Sequence, residues 1–174
     1  LEKENITTKD QNNRYHLGLK LFELGSMAQM ELEIRKIAAP SLKMLNAELD
    51  ETVHLTVLEG NEVLYVDCLE SSKRLRTYSV IGVRAPLYCT SVGKAILAFL
   101  DNEEQDRILD TITFEKFTEN TITDKSFLKD ELRTIAQRGY AVDNVEHEEG
   151  LRCVGAPIRN RAGRAFAAIS VSGP

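Results

Sequence analysis

Tryptophan is absent from this chain of 174 residues, and cysteine occurs only three times. Cysteines at 68, 89 and 153 cannot all pair within one chain, which argues against a disulfide framework and for a reducing, cytoplasmic setting. No apolar run approaches the roughly 20 residues that span a bilayer. The opening Leu1-Glu-Lys-Glu-Asn5 lacks the apolar core of a signal peptide. Basic charge is also short, with a net charge of −5. Affinity for DNA without regard to sequence comes from lysine and arginine neutralising phosphates, so these residues are not expected to bind DNA by themselves. The local basic groups, Arg74/Arg76 and Arg159/Arg161/Arg164, read as solvated strand ends. Internal repeats and low-complexity tracts are missing as well. What remains, 43% hydrophobic and 28% charged residues, describes a globular domain large enough to bury a core.

The patterning predicts an α+β fold. The first dozen or so residues, polar through Asn13, read as a tail. Leu17, Leu21 and Leu24 fit a helical stripe ending near Gly25. A second helix is predicted over Glu31–Leu49, with Leu32, Ile34, Ile37, Ala38, Leu42, Leu45 and Leu49 on one broad face and Pro40 inside it. Thr52–Leu58 and Val63–Leu69 alternate as the strands of a hairpin around Gly60-Asn61. A third strand is predicted near Arg76–Ile81, and Pro86 ends the extended segment before a helix from about Ser91 to Leu100. Two more helices follow over Asn102–Leu109, with Asn102 as cap, and Asp124–Arg138. The remaining strands are Tyr140–Val142, Leu151–Ile158 and Arg164–Ser172, the last two flanking the turn Asn160-Arg-Ala-Gly163.

Three groups could carry chemistry. Ser170 and Ser172 share one strand face with Ala168, and small hydroxyls on a mostly apolar strand suit a small-molecule pocket. Asp143 at a strand end could accept hydrogen bonds from ligand hydroxyls, although alone it reads as a turn residue. Cys153 alone reads as a small buried apolar residue. The junction Cys89-Thr-Ser-Val-Gly-Lys94 opens a helix, where unpaired N–H groups favour an anion, against the plainer reading of a Ser/Thr cap. It is not a phosphate loop, because Tyr88 and Ala95 stand where glycine and Ser/Thr are required. The acidic run Glu146-His-Glu-Glu149 lacks zinc-site spacing and reads as a solvated loop. His54, between Val53 and Leu55, reads as a structural histidine. No metal or cofactor is expected.

The spacing of Gly139, Asp143, Glu146, Cys153, Gly155, Ile158 and Asn160 resembles the effector-domain signature of the IclR-type bacterial transcriptional regulators. The run Arg74–Lys94, with Gly82, Pro86 and Gly93, and the segment Asn120–Thr123 are similar to that family too. The likeness extends from about Tyr15 to the end. Arg76-Thr-Tyr-Ser79 and Glu148–Cys153 lean toward its KdgR-like branch, which senses sugar-derived keto acids such as 2-keto-3-deoxygluconate. Arg159 departs from the family, where an aromatic residue or histidine is usual. The resemblance implies a GAF/PAS-like domain with a central, mostly antiparallel sheet of about six strands and helices on both faces. By it, residues 1–14 are the remnant of a winged helix-turn-helix domain, 15–30 a linker helix and 31–174 the effector-binding domain, with a final helical segment following Pro174 in family members. It also implies that Ser91, Val92, Asp143, Cys153, Ser170 and Ser172 bind the effector, with Leu151, Thr77 and Ala85 as wall. The partners expected are a small keto or sugar acid, further copies of the chain as homodimer or homotetramer, and operator DNA through the winged helix, with no membrane. The reading is of a sensor rather than an enzyme. Its rivals are a hydrolase using Cys153 with His147 as base, and an oligomerisation module with an incidental cavity.

Overall fold

A computed structural model describes residues 1–73 and 81–174. The strand predicted near Arg76–Ile81 falls almost wholly outside the described residues, as does Thr77. Contacts divide the chain into two units, Leu1–Ile37 and Ala38–Pro174.

In the first unit, the segment read as a tail carries a short hairpin that the patterning did not predict. Strands β1 (Thr7–Lys9) and β2 (Tyr15–Leu17) pair antiparallel. The turn between them is built by Asp10, whose carboxylate accepts from the amides of Asn12 at 2.8 Å and Arg14 at 2.9 Å, while Asn13 takes a φ of 60°. Short polar side chains that bond their own backbone make such turns, so the polarity read as a tail is turn chemistry. Helix α1 (Leu19–Glu31) runs on through Gly25, because one exposed glycine costs about 1 kcal/mol and does not stop a helix. None of its residues is buried. Helix α2 (Glu33–Leu49) keeps Pro40 within it and buries Ala38 and Leu42, whereas Ile37 and Leu49 of the predicted apolar face are exposed.

The second unit holds a six-stranded sheet in which every neighbouring pair is antiparallel. Its strands are β3 (Thr52–Glu59), β4 (Glu62–Leu69), β5 (Arg84–Pro86), β6 (Ala141–Asn144), β7 (Arg152–Arg159) and β8 (Ala165–Gly173), in the order β5-β4-β3-β8-β7-β6. Early and late strands therefore meet at the β3–β8 seam, where His54 lies opposite Ser170. Between them in sequence come α3 (Ser91–Leu97), α4 (Asn102–Thr111) and α5 (Lys125–Arg138). Asp101, not Asn102, caps α4, accepting from the Glu104 amide at 2.8 Å. Asp124 caps α5, and Gly139 ends it with a φ of 88°.

Every residue of α3 is buried, and the core gathers around it from Leu87, Ile96, Leu97, Ile108, Leu128, Leu132 and Ile135. Such depth requires close backbone approach. A Cβ on Gly155 of β7 would lie 2.7 Å from the carbonyl carbon and oxygen of Ser91. Gly155 thus lets the first turn of α3 rest on the sheet. Gly155→Ala is expected to lower stability by about 1–3 kcal/mol through overpacking, measured by urea denaturation with an unchanged m-value.

Candidate functional site

Cross-strand partners point to the same sheet face, so register alone assembles a polar patch. Asp143 of β6 pairs with Cys153 of β7, which pairs with Ser172 of β8. One step along, Gly155 pairs with Ser170, and Ser170 with His54 of β3. Asp143, Cys153, Ser170, Ser172 and His54 are all buried. They face a cavity of about 270 Å³, whose wall is completed by Tyr65, Ala85, Thr90, Ser91, His147, Glu148 and Leu151, among others.

Ser91, Asp143, Cys153, Ser170, Ser172, Leu151 and Ala85 are thus brought to one cavity by elements far apart in sequence. Val92 is not among its lining residues; it is buried as part of the hydrophobic core. Thr77 lies outside the described residues. His54 is the addition that local sequence did not reveal. Its Nδ1 lies 3.4 Å from the hydroxyls of both Ser170 and Ser172, and its ring meets Tyr65 edge-on with centroids 5.3 Å apart. His147 and Glu148, assigned to a solvated loop, also line the cavity.

That loop is corrected further at Glu146, which is buried and paired with Lys94, itself 1% exposed. Lys94 Nζ donates to Glu146 Oε1 at 2.5 Å and to the Val142 carbonyl at 2.7 Å. The Glu146 amide donates to Asp143 Oδ1 at 2.7 Å, and the Glu146 carbonyl accepts from Thr121 Oγ1 at 2.6 Å. Preceding it, Val145 has a φ of 60°, a conformation that costs a β-branched residue about 1–3 kcal/mol and persists only where neighbours impose it. Isolated in sequence, Glu146 looks solvated; its partner sits 52 residues away.

Residues 27–174 match the family described as bacterial transcriptional regulator IclR C-terminal. The chain belongs to the IclR C-terminal family. It is 37% identical over 169 residues to the HTH-type transcriptional regulator KdgR of Escherichia coli K12, covering 97% of this chain and 64% of that protein. The chain thus spans less than two thirds of the length of that relative. The crystal structure of the Thermotoga maritima IclR superposes with a TM-score of 0.87 at 39% identity, over 99% of this chain and 70% of that one. An IclR homolog from Microbacterium hydrocarbonoxydans, solved with 4-hydroxybenzoate, gives a TM-score of 0.82 at 26% identity, over 98% of this chain and 70% of that one. Among the described residues no helix is long and apolar enough to cross a membrane.

Burial dominates the electrostatics of this IclR-type site. It pulls the His54 pKa down to about 4, so the imidazole is neutral at pH 7. It pushes the Cys153 thiol up to about 12, against the hydrogen bond with Ser172 that favours the thiolate. Burial also raises Asp143, opposed by the amides of Glu146 and His147 and by the Lys94 charge, and raises Glu146, opposed chiefly by Lys94.

Two outcomes follow for stability. Neutral His54 contributes stability above pH 6.5 that is lost as pH falls toward 4, whereas the raised Asp143 and Glu146 act with the opposite sign. The difference between the native chain and His54→Gln should therefore shrink by about 2 kcal/mol from pH 7 to pH 5, read by denaturant melts at each pH. Lys94→Met leaves a buried carboxylate without its cation and should cost about 3–5 kcal/mol, with Lys94→Met/Glu146→Leu recovering most of it in the same assay.

Proposed function

We propose that this chain is the effector-binding part of a transcriptional regulator and that its cavity takes a small hydroxylated or keto acid, of the sugar-derived kind represented by 2-keto-3-deoxygluconate. The observation that carries this is the buried polar row Asp143–Cys153–Ser172, with Ser170 and His54 beside it, facing a cavity of about 270 Å³. That volume lies at the small end of ligand pockets, about 300–1,000 Å³, and suits a metabolite. Beyond the bonds they make within the chain, these hydroxyls and the carboxylate retain hydrogen-bonding capacity that a polyhydroxy ligand can use.

Charge orients the ligand. Lys94 is occupied by Glu146, and the Arg84 guanidinium donates to the Glu59 carbonyl at 3.1 Å with Glu62 3.6 Å away. Repulsion by Asp143 then turns the carboxylate of an acid ligand toward Ser91, and its hydroxyls lie toward Asp143 and the two serines. Leu151 and Ala85 pack against its carbon. Likeness to a homolog solved with 4-hydroxybenzoate, a small hydroxylated acid, supports an acid as the ligand. In this reading occupancy shifts the arrangement of subunits, and thereby operator binding by a winged helix-turn-helix domain of the whole regulator. Leu19, Phe22 and Met30 of α1 and Ile37 of α2 expose 82%, 75%, 64% and 77% of their surface and offer apolar faces for a homodimer or homotetramer. A hydrolase built on Cys153 is disfavoured, because a thiol titrating near 12 holds almost no thiolate at neutral pH.

The test is a thermal-shift titration with pyruvate, glyoxylate, 2-keto-3-deoxygluconate and 4-hydroxybenzoate, with product formation followed in parallel. One of the keto or sugar acids should raise the melting temperature in a concentration-dependent way, equivalent to about 2.7 kcal/mol of stabilisation at a hundredfold excess over Kd, without turnover. Asp143→Asn and Ser170→Ala should weaken that shift at least tenfold in ligand concentration. Turnover lost in Cys153→Ser, or no response to any acid, would overturn the reading.

A further inference from the structure

One wall of the cavity differs in kind from the rest. Strands β3, β7 and β8 supply a rigid floor, but His147, Glu148 and Leu151 come from the loop after β6. Within itself that loop has few backbone ties: the Val145 amide donates to the Leu151 carbonyl at 3.2 Å, and the Leu151 amide to the Glu148 carbonyl at 3.3 Å. Its placement comes from outside. Glu146 reaches Lys94 of α3. Behind the loop, Thr121 Oγ1 donates to the Glu146 carbonyl and accepts from the amides of Phe117 at 3.1 Å and Thr118 at 2.9 Å. Thr118 Oγ1 donates to the Val145 carbonyl at 2.6 Å. The His147 ring lies against Phe117, with centroids 5.1 Å apart. These contacts converge on the strained Val145. Moreover, Glu146 Oε2 is buried with no hydrogen-bond partner among the described residues, so the carboxylate is held through one oxygen only.

We propose that Glu146 and Thr121, neither of which lines the cavity, are positioning residues that pin the 145–151 loop as the cavity's movable wall and so control access to it. Pins outside the cavity hold a strained loop whose inner side chains close it. Release of either pin frees the loop to swing its three wall residues outward, while the floor, held by strand pairing, stays in place. As a control of ligand entry this rests on the cavity being the effector site; as a statement about the loop it does not.

The cysteines provide a readout that needs no ligand. Cys153 is in the cavity wall and Cys89 is fully buried in the core, so iodoacetamide labelling followed by peptide mass spectrometry reports access with its own internal control. Thr121→Val removes the hydroxyl at nearly constant volume. It should speed labelling of Cys153 about tenfold with Cys89 unchanged, and speed amide exchange over 145–151 about tenfold with β7 and β8 unchanged. Thr121→Ser keeps the hydroxyl and should restore protection. Glu146→Gln should act in the same direction as Thr121→Val, and supplies the test should the valine variant fail to fold. Equal acceleration at Cys153 and Cys89 would mean that these contacts serve global stability alone, and no acceleration would mean that the loop is held otherwise; either overturns the proposal. Failure of every acid to bind would leave these readouts standing, and their failure would leave the thermal shifts standing.

Discussion

The second unit turns on one buried ion pair. Lys94 lies inside the all-buried helix α3, and an ammonium at such depth requires a carboxylate and further acceptors. Glu146 and the Val142 carbonyl meet that requirement, and in doing so they draw β6 and the loop after it onto the helix. Asp143 is then fixed by the amide of the residue that answers Lys94. Helix, strand end and loop are thus interlocked by charge where apolar packing alone would leave the loop free. Burying such a pair rarely adds net stability, so its contribution is to select one arrangement of the loop over others.

Around this lock the sheet supplies a second kind of order, made by register. A polar row on the floor of an otherwise apolar domain needs every strand to present its polar residue at the same level. Antiparallel pairing with period two accomplishes this for Asp143, Cys153 and Ser172, and Gly155 keeps the next level low enough for α3 to approach. The space left between helix start, loop and floor is therefore polar below and partly apolar at its sides.

Most of the elements were legible in the sequence, because their patterns are local. Alternation in β8 placed Ser170 and Ser172 on one face with Ala168, and the burial pattern agrees. The helix predicted over Asp124–Arg138 coincides with α5, whose ends are set by the Asp124 cap and by Gly139. His54 was not legible as a cavity residue, since nothing near it encodes that β3 will lie beside β8. Glu146 was misread for the same reason: a run of acidic residues is normally solvated, and the lysine that buries one of them is not adjacent. The small hairpin before α1 was missed because Asp10 and Asn13 build a turn from residues that also make up tails.

The β3–β8 seam has a consequence for how the site comes into being. His54 and Ser170 are separated by 116 residues, and the whole helical block lies between them in sequence. The late half holds the polar row of Asp143, Cys153, Ser170 and Ser172, but His54 and Tyr65 come from the early half, so neither half holds the complete lining. Joining the halves requires closing a very long loop, whose entropy must be met before the pairing rewards it. The chain can therefore acquire its helices and outer hairpins before the cavity lining is complete. The complete cavity lining depends on that late closure, and opening the seam takes it apart.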